Sequence, residues 1–387
     1  MQNFVFYNPT KIIFGKNTIA SIGSETHLLG KRCLLVYGTG SIKKNGIYDQ
    51  VITSLHEAEI EIVEHGGVKS NPLLSHVRAG ISKVKEGKLD IVVAVGGGSV
   101  LDSAKAICAG AVVDHDVWKF FTGKKSIKDV LPLTTVLTLA ASGSEMNSGM
   151  VITNDSTQEK FGFGNQRLYP KASILDPEAT YTVPPDYTAY GAVDAIAHVL
   201  EFYMTAEDRA TPVQDRLMEG LIRNAMDSCD RCLDDPADYN GRADLMWTAT
   251  LALNGLTGAG LGKVGFPMHM IEHSLSALYD IPHGAGLSIV IPGWLRWKSK
   301  SDPEKIIQLG SRLFNFQARE IEPTTVATIR ILENWFSKVD SPIRLHEVGI
   351  PPAAIPAIAD NAIRLAKIWR LDQYTSTTIE EILQLCC

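Results

Sequence analysis

The sequence predicts two domains: an α/β domain over residues 1–182 and an all-helical domain over residues 183–387. Three observations carry this. The chain has 387 residues, more than one hydrophobic core usually serves. Up to about residue 180, short apolar runs alternate with amphipathic stretches. After Val183-Pro184-Pro185 the β-branched runs vanish, and Ala, Leu, Glu and Met recur at helical spacing nearly to the end.

The first half reads element by element. CLLVYG (33–38), EIEIVEHGG (59–67), DIVVAVGGGSV (90–100) and LPLTTVLTLA (131–140) are apolar runs of the length of buried strands. Helical periodicity appears between them over 46–57, 73–87 and 99–110. Strands alternating with helices predict a parallel sheet with helices on both faces. The chain shows no internal repeat and no low-complexity tract.

Composition narrows the function. A hydrophobic content of 45% with 21% charged residues is that of a soluble globular protein. The net charge of -6 offers no basic patch for nucleic acid. No run approaches the roughly 20 apolar residues of a membrane helix. The opening MQNFVFYNPTKIIFG lacks a basic stretch followed by an apolar one, so the expected location is cytoplasmic. The six cysteines, Cys33, Cys108, Cys229, Cys232, Cys386 and Cys387, show no disulfide framework. Cys229-x-x-Cys232 has the spacing of half a zinc site but no second pair, so it reads as helical spacing. Cys386-Cys387 reads as a frayed, exposed end.

The chemistry-bearing residues gather in the second half. Asp194 and His198 stand four apart in GAVDAIAHVLEFY, hence on one helix face. His269, His273 and His283 follow within PMHMIEHSLSALYDIPHG. A lone histidine on an apolar helix face is usually a core residue. Three within fifteen positions, beside an Asp-x-x-x-His pair, in a chain with ten histidines, point instead to one buried site. One carboxylate with imidazoles suits a divalent transition metal, Zn or Fe(II).

Two glycine turns mark the first half. The strand DIVVAV runs into Gly96-Gly97-Gly98-Ser99 and then a helix, an arrangement that brings backbone N–H groups and a helix N-terminus to a phosphate. The pyrophosphate of a dinucleotide is the natural guest, although the spacing is not G-x-G-x-x-G. The other reading is a tight turn with small residues for packing. Gly38-Thr39-Gly40-Ser41 closes the earlier strand, followed by Lys43 and Lys44. No acidic residue stands in it to bond a ribose 2′-OH, so the turn fits NADP as well as it fits an ordinary solvated loop. Thr138 to Glu145 puts small and hydroxyl residues at another strand's C-terminal end, where ligands of open α/β sheets collect.

Taken together, NPTKIIFGK, GGGSVLDSAKAI, TLAASGSE, ILDPEATYTVPP, GAVDAIAHVLEFY and HMIEHSLSALYDIPHG resemble the iron-containing, or group III, alcohol dehydrogenases over essentially the whole chain. YGTGSIKKNGIYD and RADLMWTATLALNGL resemble the branch of butanol dehydrogenases and NADPH-dependent aldehyde reductases. The resemblance implies a dehydroquinate synthase-like fold, with an N-terminal dinucleotide-binding domain and a C-terminal metal-binding one. It implies metal ligands at Asp194, His198, His269 and His283, and a histidine near the nicotinamide, His273, that is not a ligand. It implies cofactor contacts at Asn71, Gly98, Ser99, Asp102, Thr138 and Lys160. Thr39 stands where NAD-specific members carry Asp, which favours NADP over NAD. A homodimer is implied as well.

The expected reaction is hydride transfer between NAD(P)H and a primary alcohol or aldehyde such as butanol or butanal, with Fe(II) or Zn(II) as Lewis acid and His273 as proton relay. Two other readings compete. Glycerol dehydrogenases and dehydroquinate synthases share the fold, but apart from Lys263 the 260–300 segment is mainly apolar around the histidines, which argues for an uncharged substrate. A metal or nucleotide sensor without turnover is the non-enzymatic alternative.

Overall fold

The apolar runs of the first half pair into strands wherever both faces can be covered. The computed structural model describes residues 1–316 and 321–387. In chain order the strands are β1 (Lys11–Phe14), β2 (Arg32–Gly38), β3 (Glu61–Val68), β4 (Ile91–Gly96), β5 (Leu133–Leu137), β6 (Gly149–Asn154), β7 (Glu159–Gly164) and β8 (Ala172–Leu175). Six make one parallel sheet in the order β1-β8-β5-β4-β2-β3; β6 and β7 form a separate antiparallel hairpin. The helices of this half are α1 (Ile22–His27), α2 (Ser41–Lys44), α3 (Ile47–Glu57), α4 (Leu74–Gly87), α5 (Gly98–Ala111) and α6 (Trp118–Phe121). The alternation predicted this architecture. It missed β1 and β8, whose four residues are too few to display a period, and the β6–β7 hairpin, where Gly149, Gly162 and Gly164 dilute the apolar pattern.

Register places the turns. Tyr37 is level with Val95 and Gly96 with Leu137, so β2, β4 and β5 end together. From β2 the chain goes to β3 on one side, then returns through α4 to β4 on the other. The gap between β2 and β4 is therefore a topological switch point, where ligands of open sheets bind. Both glycine turns open there.

The second half is helical: α7 (Pro185–Thr205), α8 (Pro212–Asp234), α9 (Tyr239–Ala252), α10 (Pro267–Tyr279), α11 (His283–Ser299), α12 (Glu304–Leu313), α13 (Ile321–Lys338), α14 (Ile355–Ile368) and α15 (Ser376–Gln384). No helix among the described residues is long and apolar enough to cross a membrane.

Two compact units result, and neither is one continuous stretch. Residues 7–183 and 236–250 form the α/β unit; residues 1–6, 184–235 and 251–387 form the helical one. The segment 236–250 differs from the expected division, which put it with the helical domain. Its helix packs on the α/β side: Trp247 meets Phe14 edge-on with ring centroids 6.0 Å apart, and Thr250 Oγ1 donates to the buried Glu145 Oε1 at 2.5 Å. Helical period shows that a segment is a helix, not which core it joins.

One further residue departs from expectation, and another went unread. Cys386 is not frayed. It is fully buried, Sγ donates to the Ile382 carbonyl at 3.3 Å, and its own carbonyl accepts from Leu345 N at 2.9 Å. Only Cys387 is exposed. Lys105, two turns into α5, has no exposure at all. Its Nζ donates to Ser144 Oγ, the carbonyls of Asn147 and Gly149, and Asn147 Oδ1, all at 2.8–3.1 Å. This cation ties the helix after the glycine turn to the loop before β6.

Candidate metal centre and glycine turns

In the helical unit, α7 supplies Asp194, His198 and Glu201 from one face, at spacings of four and three. The helix is otherwise apolar there, and all three residues are buried. His269 and His273 come from α10, one turn apart, and His283 is the first residue of α11.

The geometry converges on one atom. Asp194 Oδ1 lies 3.5 Å from His198 Nδ1, 3.6 Å from His269 Nε2 and 3.6 Å from His283 Nε2. These separations are too long for hydrogen bonds. They match the edge of a tetrahedron with bonds of about 2.0–2.1 Å, which is about 3.3–3.4 Å. Asp194 Oδ1, His198 Nδ1 and His269 Nε2 are buried and have no hydrogen-bond partner. Acceptor atoms turned toward one another out of water are costly without a shared cation. The donor set fits a divalent metal, and Asp194, His198, His269 and His283 could hold one. His273, expected beside the ligands, stands with ring centroids 5.5 Å from His283 and 6.4 Å from His269. With Glu272 and His283 it also forms a second cluster of ligand-type atoms. Its ring also meets the Trp369 ring edge-on, with centroids 5.6 Å apart.

Charge tells the same story. Burial alone would raise the Asp194 carboxyl, but His198, His269 and His283 outweigh it and hold it well below the usual carboxylate range. Burial, with His269 and His283 nearby, pushes His198 down to about 3 despite Asp194. Burial also works against a charged His269, yet Asp194 and Glu201 raise it to about 9. The site thus favours positive charge beside Asp194.

Two carboxylates escaped the sequence reading. Glu201 Oε1 accepts from both His269 Nδ1, at 3.1 Å, and His269 N, at 2.9 Å. Glu272 accepts from His283 Nδ1 and from Ser276 Oγ. Both glutamates are fully buried. The available signal was an acidic residue inside an apolar helix face: Glu201 is seven positions after Asp194, and Glu272 directly precedes His273.

Glycines let α11 reach these neighbours. A Cβ on Gly284 would stand 2.2 Å from the Tyr190 carbonyl of α7, and one on Gly286 would stand 2.7 Å from Glu272 Cγ. The glycines of PHGAG are therefore spacers that let His283 close the site.

In the α/β unit, Gly96-Gly97-Gly98 follows β4, and α5 starts at Gly98. Gly97 has φ -83°, so the run is not there for left-handed backbone. It is there for close approach. A Cβ would stand 2.4 Å from Val100 Cγ2 at Gly96 and 2.2 Å from Ser142 Oγ at Gly98. Packing, the plainer reading of this run, thus accounts for two of its glycines, and the N-terminus of α5 at Gly98 and Ser99 could take an anion. Ser99 Oγ donates to the Ser70 carbonyl, next to Asn71. Lys160, on β7, donates to Asn71 Oδ1 at 3.0 Å, so two expected cofactor residues 89 apart in sequence meet. Thr138 N donates to the Gly96 carbonyl at 3.1 Å, which sets Thr138 beside the same turn. Asp102 is engaged internally, accepting from Ser144 Oγ at 2.6 Å and Val151 N at 2.9 Å.

At the other turn Gly40 does need its freedom, with φ +121°. Thr39 and Ser41 are exposed there. Lys43, which follows this turn, is occupied. It pairs with Glu64 of β3 at 3.1 Å and lies over the Tyr37 and Tyr48 rings. Glu64 also accepts from Tyr37 Oη at 2.6 Å and Tyr48 Oη at 2.8 Å. Glu64, 21 residues after Lys43, was invisible to a reading of the turn alone.

The spacer glycines yield a paired prediction. Gly284→Ala forces α11 off a backbone carbonyl and should destabilise the protein by about 1–3 kcal/mol. Gly220, inside α8 with nothing within 4 Å of a built Cβ, should behave oppositely. Gly220→Ala is expected to stabilise by about 0.5–1 kcal/mol. Denaturant midpoints at fixed metal loading measure both; equal shifts of the same sign would contradict the packing account.

Residues 9–177 match the family model described as iron-containing alcohol dehydrogenase, and residues 188–386 match the C-terminal model of the Fe-containing alcohol dehydrogenase family. The chain is 42% identical to a probable NADH-dependent butanol dehydrogenase 1 of Bacillus subtilis, covering 100% of this chain and 99% of that one. It is 37% identical to the NADPH-dependent aldehyde reductase YqhD of Escherichia coli, over 92% of each chain. The crystal structure of an NADH-dependent butanol dehydrogenase A from Thermotoga maritima superposes with a TM-score of 0.96 at 43% identity, covering 100% and 99% of the two chains. With its convergent Asp194–histidine cluster and its two matched halves, the chain belongs to the iron-containing alcohol dehydrogenase family, in the branch of butanol dehydrogenases and aldehyde reductases.

Proposed function

We propose that the protein interconverts a primary alcohol and its aldehyde, such as butanol and butanal, at the expense of a nicotinamide cofactor. The carrying observation is Asp194 Oδ1, buried and facing three imidazole nitrogens at 3.5–3.6 Å. Asp194, His198, His269 and His283 would hold Fe(II) or Zn(II). When bound, such an ion supplies Lewis-acid polarisation of an alcohol or carbonyl oxygen, and the nicotinamide supplies the hydride. The protein's own part is to position, to keep water away and to move one proton. Reduction of an aldehyde consumes one hydride and one proton; His273 delivers that proton from a ring nitrogen and takes it back in alcohol oxidation. The cofactor's phosphates would lie on the N–H groups at Gly97, Gly98 and Ser99, with Gly38, Gly40, Asn71, Thr138 and Lys160 around the remainder. Asp102 would act by holding the Ser144 loop and β6 against α5. The apolar surroundings of the histidines favour an uncharged substrate.

The assay is butanal-dependent loss of NADPH absorbance, run beside elemental analysis. Wild type should turn over and carry metal, and His269→Ala should lose both together. Full metal occupancy in His269→Ala would overturn the ligand assignment.

His273→Ala separates a relay from a ligand. It should keep its metal and lose turnover by roughly 10²–10⁴-fold, the span of general acid–base effects. Loss of metal would place His273 in the coordination set.

For the cofactor we favour NADP, with NAD as the lesser substrate. Thr39 and Ser41 offer hydroxyls where a carboxylate would repel a 2′-phosphate, and Glu64 is already taken up by Tyr37, Tyr48 and Lys43. Thr39→Asp should turn kcat/KM toward NADH by ten- to hundredfold, about 1.5–3 kcal/mol. Equal use of both cofactors by wild type, unchanged in the variant, would refute this.

The assembly we favour is a homodimer. β1 is an edge strand of the sheet, and Tyr7 just before it is 73% exposed, at an edge that a second copy would cover. A cytoplasmic setting suits a chain whose six cysteines are all thiols.

A further inference from the structure

The two buried glutamates behind the histidines do not face the space between the ligand atoms. They face the far nitrogens. Glu201 and Glu272 each collect a ring Nδ1, from His269 and His283 respectively, while the Nε2 of each ring faces Asp194 Oδ1. A carboxylate accepting from Nδ1–H fixes the tautomer, leaves the Nε2 lone pair on the metal side and makes that nitrogen more basic.

The two do not do equal work. Glu201 Oε1 also accepts from His269 N. His269 is the third residue of α10, so this N–H is one of the helix's orphan donors, and the N-cap, Phe266, offers no side-chain bond. A negative charge there also suits the helix dipole. Glu201 thus fixes both the start of α10 and the ring that projects from it. It sits on the same helix as Asp194 and His198, so three of the site's positions are set by one rigid element. Glu272 is held more locally, by Ser276 one turn on, and it fits only because Gly286 has no Cβ.

We infer that Glu201 and Glu272 are positioning residues of the metal centre, which set its affinity through His269 and His283, and that Glu201 carries the larger share. The inference rests on the metal reading above. It concerns metal binding and is tested without turnover.

The probe is Co(II), titrated into metal-stripped full-length protein in competition with a chromophoric chelator, with the visible d–d spectrum as a second readout. Wild type should bind one Co(II) with a tetrahedral spectrum. Glu201→Gln and Glu272→Gln keep size and shape but remove the charge. Each should weaken Co(II) by about 10–100-fold, with Glu201→Gln the weaker binder, and shift the d–d bands. Circular dichroism confirms that each variant is folded. Should Glu201→Gln fail to fold, Ser276→Ala replaces it as the probe; it removes a donor to Glu272 and should weaken Co(II) by a smaller factor, with the same direction of spectral shift. Folded variants that bind Co(II) as wild type does, with unchanged spectra, would overturn the inference. Wild type that binds no Co(II) would instead overturn the metal reading itself.

Discussion

A carboxylate removed from water must either take up a proton or be given positive charge, and Asp194 is given positive charge. Its side chain is almost fully buried, and three imidazole nitrogens stand around one of its oxygens. Burial and histidine charge oppose one another at this atom, and the histidines win. The other features of the helical unit follow from satisfying that arrangement. From Gly191 to Phe202, helix α7 must be apolar except along the line of Asp194, His198 and Glu201. Helix α10 must start where its first turn can be met by Glu201. Helix α11 must come near enough for His283 to reach, which requires glycine at 284 and 286.

The α/β unit answers to a different constraint, the close approach of a helix to the ends of parallel strands. There the demand falls on volume rather than charge. The glycines after β4 make room for Val100 and Ser142, and the buried Lys105 replaces the missing side-chain contacts with four hydrogen bonds to the loop opposite. At the rim a second charged group forms, where Glu64 gathers Lys43 and two tyrosines.

Much of this was legible in the residues, for physical reasons. Strands such as IVVAVG are buried on both faces and so appear as unbroken apolar runs. The four-residue spacing of Asp194 and His198 maps directly onto one helix face. The parts that were not legible are those whose meaning lies in a partner distant in sequence. Glu201 looks like any helical glutamate until His269, 68 residues away, is set against it. Lys43 looks solvated until β3 brings Glu64 alongside. Cys386 looks terminal until the 345 segment covers it. Helix α9 carries no clear apolar stripe to mark its partner, and its contacts with Phe14 and Glu145 reveal where it belongs.

That last helix changes what a gene fragment can be. The α/β unit is not finished at residue 183, because residues 236–250 complete it, and the helical unit likewise borrows residues 1–6 from the other end of the chain. A ribosome delivering the chain from its N-terminus exposes Glu145 without Thr250, and Phe14 without Trp247, until well into the second half of synthesis. The two halves are thus interlaced in order of translation, and a cut at the apparent seam would deprive the α/β unit of the buried Leu245, Met246 and Ala249 and the helical unit of its N-terminal strap.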